Sequence, residues 1–362
     1  LVLMEDGETA ASRFVSSGEP VDEETLFQVV SLSKWLAAWG VMKLVQEGQI
    51  GLDDPVEAYL DRWSLPPGEY DRSGVTVRRL LSHTAGLGDG LGYNGFTSRA
   101  EVQTLEASLS RAADASPGSA GSVRLVRAPG SEWAYSGGGY TLLQLLIEEV
   151  SGRPFDAFMK AEIFQPLNMQ QSTFDLDEAR RRGLAENYRR DGTTEPFRYY
   201  TALAATSAFT SAGDLTAFLK AQYPGERARG AAPLAPETLR EMRRSHAARL
   251  GADIWGLGVM LYAPNNQGDF VIGHDGNNEP SINTAVRFDP GTGDGIILLG
   301  TGNGLLATHI ASEWVLWKTG HVDNLMFAEG IGGMILTAGT GTAILIFCGL
   351  FFAWKTRRRR QP

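Results

Sequence analysis

Ser31 and Lys34 stand three residues apart in the segment FQVVSLSKWLAAWGVMKLVQEG, where a strand-like start gives way to a helical run. At that spacing both side chains lie on one helix face and can touch. The pair supplies a nucleophile and its base. Burial disfavours the charged ammonium, and a neutral lysine can take the serine proton. A serine near a helix N-terminus also turns its own backbone N–H toward a developing oxyanion. Ser-x-x-Lys arises by chance about once in a chain of this length, so its surroundings decide its weight. A second candidate is Tyr135-Ser136-Gly137, in a glycine-rich loop ahead of an amphipathic helix, where the phenol of Tyr135 beside a lysine can relay a proton. The third is Gly273-His274-Asp275-Gly276-Asn277 at the end of a strand, whose edge can offer a second oxyanion N–H and a polar wall for substrate.

Other patterns weigh less. Gly90-Leu91-Gly92-Tyr93-Asn94-Gly95 has the dinucleotide-binding spacing but neither follows a strand nor opens a βαβ unit. His83 has no second histidine or carboxylate at metal spacing and reads as a hydrogen-bonded structural histidine. No G-x-S-x-G elbow occurs, which argues against an α/β-hydrolase. No metal or organic cofactor is expected.

The elements that must position these residues follow from periodicity. The run from Leu26 to Gly48 is apolar nearly all round after Ser31, as a central buried helix is, with Gly48 placed to stop it. Tyr140 to Val150 forms a helix with Leu142, Leu143, Leu146, Ile147 and Val150 on one face. Further helices are expected over 214–222, 236–249 and 305–318, and strands over 269–274, 282–288 and 295–299, the last two joined as a hairpin through Asp289 to Asp294. Strands therefore concentrate at the two ends of the body and helices in its middle. That order predicts an α+β fold, an antiparallel sheet flanked by helices, with an inserted, mainly helical subdomain at about 76–220 and the site in the cleft between them.

The chain has 362 residues, 43% of them hydrophobic, enough for a full core. Five of its 33 Lys and Arg lie at Lys355 and Arg357 to Arg360, which leaves 28 against 42 Asp and Glu over residues 1–354. So acidic a body has no footprint for nucleic acid. The single cysteine, Cys348, excludes an intrachain disulfide. Gly330 to Trp354 carries no charged side chain, and its 25 residues as a helix cover about 37 Å, enough to cross a bilayer. With the basic tail 355–362 on the cytoplasmic side, the body faces outward, periplasmic or extracellular, as a single-pass membrane protein. Residues 1–320 are then the hydrolase domain, 321–329 a linker and 330–354 the membrane helix. Gly333, Thr337, Gly341 and Gly349 share a four-residue frame that allows close packing of two copies, a route to a homodimer. The start, LVLMEDGETAASRFV, has neither basic nor apolar signal regions, so a processed or truncated start is expected.

The order and spacing of FQVVSLSKWLAAWGVMKLVQEGQIGLDDPVEAYL, VTVRRLLSHTAGL, WAYSGGGYTLLQLLIEEVSGRPF, TSAFTSAGDLTAFL, WGLGV and GHDGNNEP resemble the serine β-lactamase and penicillin-binding-protein-like hydrolases, especially the class C and family VIII esterase branch. The likeness runs over residues 20–318. It implies Ser31 as nucleophile, Lys34 as its base, Tyr135 as proton relay to the leaving group, and the backbone N–H groups of Ser31 and Asn277 as oxyanion hole. Two departures narrow the substrate. Lactamases of this kind usually read Tyr-x-Asn and Lys-Thr-Gly, and Gly137 and His274 stand here instead, with Gly276 retained. The amide that grips an acylamino group and the lysine that binds a carboxylate are both missing, and His274 would be only partly charged near neutral pH. An ester, lactam or peptide substrate is implied, with an esterase-like preference. The alternatives are a D-Ala-type carboxypeptidase or β-lactamase, and a catalytically weak binding protein.

Overall fold

The computed structural model describes residues 1–88, 92–223, 232–278 and 281–325. Its strands are β1 (Val2–Glu5), β2 (Glu8–Ser12), β3 (Phe27–Gln28), β4 (Phe209–Thr210), β5 (Ala247–Arg249), β6 (Ala252–Trp255), β7 (Met260–Pro264), β8 (Phe270–Asn278), β9 (Ile282–Phe288) and β10 (Gly295–Thr301). Its helices are α1 (Ser33–Gln46), α2 (Val77–Leu81), α3 (Leu105–Arg111), α4 (Gly137–Ser151), α5 (Phe155–Met159), α6 (Leu176–Arg182), α7 (Leu203–Thr206), α8 (Ala212–Lys220), α9 (Pro236–Arg243) and α10 (Leu306–Thr319).

Among the described residues, eight strands pair antiparallel in the order β2-β1-β10-β9-β8-β7-β6-β5. Sheet-forming segments do come from both ends of the body, and α2 to α8 fill the interval between them. β1 and β2 form a hairpin whose turn residues Asp6 and Gly7 have φ of 51° and 75°. Asp-Gly in that conformation matches the right-handed twist of the strands it joins. The expected helix over 236–249 ends at Arg243, and Ala247–Arg249 instead pairs with β6.

β9 is buried along its whole length because helices cover both faces of the sheet. On the front, α1 packs almost all round: Trp35 and Trp39 meet Phe218 of α8 at ring-centroid distances of 5.0 and 4.8 Å. Removing such an aromatic from a packed core costs about 3–5 kcal/mol, so α1 is rigidly held. On the back, Ala307, Ala311, Trp314 and Val315 of α10 lie on Val271, Ala285, Ile296 and Leu298.

No helix among the described residues is long and apolar enough to cross a membrane. The predicted span 330–354 and the basic tail lie outside them. Residues 321–325, expected to begin a linker, lie against the sheet, and Asp323 is 1% exposed.

Candidate active site

Ser31 does not open the long helix itself. It occupies a 3-10 turn, Val30–Leu32, that leads into α1. Val30 just before it has φ 45°, a left-handed conformation that a β-branched residue adopts only under strain of about 1–3 kcal/mol. The surroundings hold it there: Val29 N–H donates to the Ala208 carbonyl at 2.9 Å, and Ala208 N–H to Ser33 Oγ at 2.8 Å. The turn therefore presents Ser31 at the edge of the core, half-buried.

Lys34, 3% exposed, points its Nζ at Ser31 Oγ, 3.3 Å away, and donates to the Ala205 carbonyl at 2.7 Å. That carbonyl, at α7, left no trace in the sequence reading. The same Nζ lies 4.8 Å from the centre of the Tyr135 ring. Tyr135 shows 38% of its surface to solvent, but its hydroxyl is turned in toward Ser31. Desolvation raises its pKa, against a smaller lowering by the hydrogen bond with Ser31. Serine, lysine and tyrosine thus lie together, Ser31 and Lys34 at a helical spacing and Tyr135 from a segment about 100 residues on in the chain.

His83 holds the tyrosine loop in place. Its Nδ1 accepts the Ser136 N–H at 3.1 Å, its carbonyl accepts the Ala134 N–H at 2.8 Å, and its ring lies 4.4 Å from that of Tyr135. It is fully buried, and desolvation first, then the Lys34 charge, drives its pKa well below the ordinary histidine value. The structural role read from the sequence suits these contacts. Ser136 caps α4, its Oγ accepting the Gly139 N–H at 2.8 Å, and Gly137 is the buried first residue of that helix.

The third segment lies along β8. A Cβ on Gly276 would stand 2.1 Å from the Val29 carbonyl oxygen, so only glycine lets the strand lie this close to the turn that carries Ser31. Asn277, one residue on, is exposed at the strand edge. His274 differs from expectation: it is not partly charged. It is 1% exposed against Trp255, its Nδ1 donates to the Asp275 carbonyl at 2.7 Å, and burial with the nearby Lys34 charge pushes its pKa down to about 3. Its Nε2 finds no hydrogen-bond partner among the described residues. Trp255, whose indole N–H donates to the Leu81 carbonyl at 3.2 Å, separates the two histidines. Nothing in the WGLGV motif by itself marks Trp255 for this place.

A histidine kept neutral in the fold takes up a proton on unfolding. With a folded pKa near 3 and an unfolded one near 6.5, its contribution to stability is present above pH 6.5 and lost as pH falls toward 3. We expect the Tm of the wild type to fall by several degrees more than that of His274→Asn between pH 7 and pH 4.5. Parallel melting curves at the two pH values check this, and equal acid slopes would remove His274 as a source.

A cavity of about 360 Å³ lies beside the end of β8, with Gln28, Asn94, Asn187, Arg198, Tyr200 and Asn278 among its walls. Its lining is mostly polar. Among the described residues no group of three or more His, Cys, Asp and Glu is placed to hold a metal ion.

The chain is a serine hydrolase, an enzyme on an α+β scaffold of an antiparallel sheet packed with helices. Residues 1–320 match the Beta-lactamase family, and the chain belongs to it. Esterase EstB of Burkholderia gladioli is 29% identical over 279 residues, 67% of this chain and 68% of that one. Penicillin-binding protein 4* of Bacillus subtilis is 36% identical over 157 residues, 42% of this chain and 31% of the relative, so the chain spans about a third of that protein. Among solved structures, the octameric penicillin-binding protein homologue from Pyrococcus abyssi superposes with a TM-score of 0.71 at 27% identity, over 89% of this chain and 73% of the other.

Proposed function

We propose that the chain is a membrane-anchored esterase-like hydrolase working through an acyl-enzyme on Ser31. Ser31 Oγ attacks the substrate carbonyl carbon while its proton passes to neutral Lys34, and the backbone N–H groups of Ser31 and Asn277 receive the oxyanion. The C–O bond to the alcohol then breaks, and the Lys34 proton reaches the leaving oxygen through the Tyr135 hydroxyl. Water repeats the sequence on the acyl-enzyme and frees the acid.

The observation that carries the ester preference is the buried, neutral His274. A lactam brings a carboxylate that needs a cation on this strand, and a histidine with a pKa of about 3 is not one. An ester needs only nucleophile, base and oxyanion hole, and its alcohol leaves more readily than an amine. The similarity to an esterase supports the same reading. The polar cavity beside Asn278 suits a short polar group better than a fatty one. The uncharged run 330–354 and the arginines after it support an anchored, extracytoplasmic body, and its small-residue frame supports pairing of two copies.

One experiment tests the ester preference and the anchor together. Full-length protein from a carbonate-washed membrane fraction should hydrolyse p-nitrophenyl butyrate with kcat/KM at least about tenfold above nitrocefin, roughly 1.4 kcal/mol of transition-state stabilisation. Nitrocefin turnover equal to the ester's would sink the substrate preference. Activity confined to the soluble fraction would sink the anchor.

A further inference from the structure

The chain just after α10 is fastened to the back of the sheet through Asp323 and Asn324. Asp323 Oδ2 accepts from Arg287 Nε at 2.9 Å, and both side chains are wholly buried. The same guanidinium gives Nη1 and Nη2 to Asp275 at 2.6 and 3.2 Å and lies 3.4 Å over the Tyr262 ring. Asn324 Nδ2 donates to the Asp253 carbonyl of β6 at 3.1 Å and the Leu261 carbonyl of β7 at 3.3 Å, while Asp323 Oδ1 accepts the Leu325 N–H at 2.8 Å. One short segment thus touches β6, β7 and, through Arg287, β9 and β8.

Side chains alternate along β8, so neighbouring residues of the strand serve opposite faces. His274 and Gly276 face the turn of Ser31, and Asp275 faces the back, toward Arg287. Asp275 is at once a member of the ion triad and, through its carbonyl, the acceptor of the His274 ring. A buried arginine between two carboxylates is held from both sides, and deleting one of them removes the anchor on Nε and lets the guanidinium shift together with the carboxylate that remains.

We propose that Asp323 is a positioning residue for acylation: by holding Arg287 it fixes Asp275, and through that main chain it sets residues 274–277 against the nucleophile's turn. The proposal rests on the serine-hydrolase reading and gives the stretch following α10 a part in the reaction.

The test is Asp323→Asn in the full-length chain, read by kcat and KM on p-nitrophenyl butyrate, by the rate of fluorophosphonate labelling of Ser31, and by Tm. Expected are a kcat lower by about tenfold, a KM within twofold of wild type, and a labelling rate that falls with kcat. Asn324→Ala keeps all three charges but frees the segment, and should lose about threefold in kcat. It carries the decision should Asp323→Asn not fold. Trp314→Phe loosens α10 on the same face without touching the triad, and should lower Tm with kcat unchanged. A kcat unchanged in Asp323→Asn or Asn324→Ala despite a lower Tm, or an effect confined to KM, overturns the proposal. Wild-type enzyme that is not labelled at Ser31 would count against the hydrolase mechanism instead.

Discussion

Ser31→Ala should lose at least about 10⁴-fold in kcat and all labelling by a fluorophosphonate, with a Tm within a few degrees of wild type. In the proposed mechanism nucleophile, base and relay act as a unit, and removing the atom that forms the bond removes the route, so the loss is large. The small stability change follows from position. Ser31 is half-buried in a 3-10 turn, and its contact with Lys34 at 3.3 Å is long for a hydrogen bond, worth at most about 1 kcal/mol. Two nearby serines are poor rivals. Ser33 is fully buried and its Oγ accepts the Ala208 N–H, and Ser136 is committed to the cap of α4. Mass spectrometry of the adduct decides the matter, and a label on either of those serines would displace Ser31.

Lys34→Arg should fall by about 10³-fold or more, although it keeps a positive charge and a donor for the Ala205 carbonyl. A guanidinium cannot shed its proton and so cannot receive that of Ser31. The wild-type kcat/KM should climb with pH as Lys34 becomes neutral, and the arginine variant's residual rate should show no such limb. The long arginine must also fit where Lys34 lies beneath the Tyr135 and Tyr140 rings, at 4.8 and 5.8 Å from their centres, which adds a steric penalty. Lys34→Ala separates the two causes: it has no clash and no base, and it should be as slow. A Lys34→Arg enzyme within tenfold of wild type would falsify the Ser-Lys mechanism.

What could be read in advance was the part of the site that repeats along a regular element. Ser31 and Lys34 sit at a helical spacing, and the sheet strands announce themselves as apolar runs broken by Asp289 to Asp294. The acceptor for Lys34 is a main-chain carbonyl 171 residues away, and a carbonyl has no residue type to betray it. The left-handed Val30 runs against the preference of valine and comes from packing around it, which local sequence does not encode. His274 shows the same gap for electrostatics: a one-letter code gives the imidazole but not the depth that silences it. The first hairpin is marked in the sequence only by Asp6-Gly7, a two-residue turn signal between short strands. Past Arg243 the helical text runs on, but Ala247–Arg249 is three residues long, too short for periodicity to tell strand from helix. HVDNL looked like a linker because it is polar, and the partner that buries Asp323 lies 36 residues back on β9.

The contact between Gly276 and the Val29 carbonyl has an engineering side. An added methyl there would meet that oxygen at 2.1 Å and Thr284 Oγ1 at 2.5 Å, so the strand wall of the cleft admits no further atom. At this point the two backbones already lie in close approach. Anyone wishing to reshape this cleft for bulkier molecules must therefore carve on the opposite bank, in the loops of the helical subdomain, and leave the strand as the fixed rail against which every guest is set.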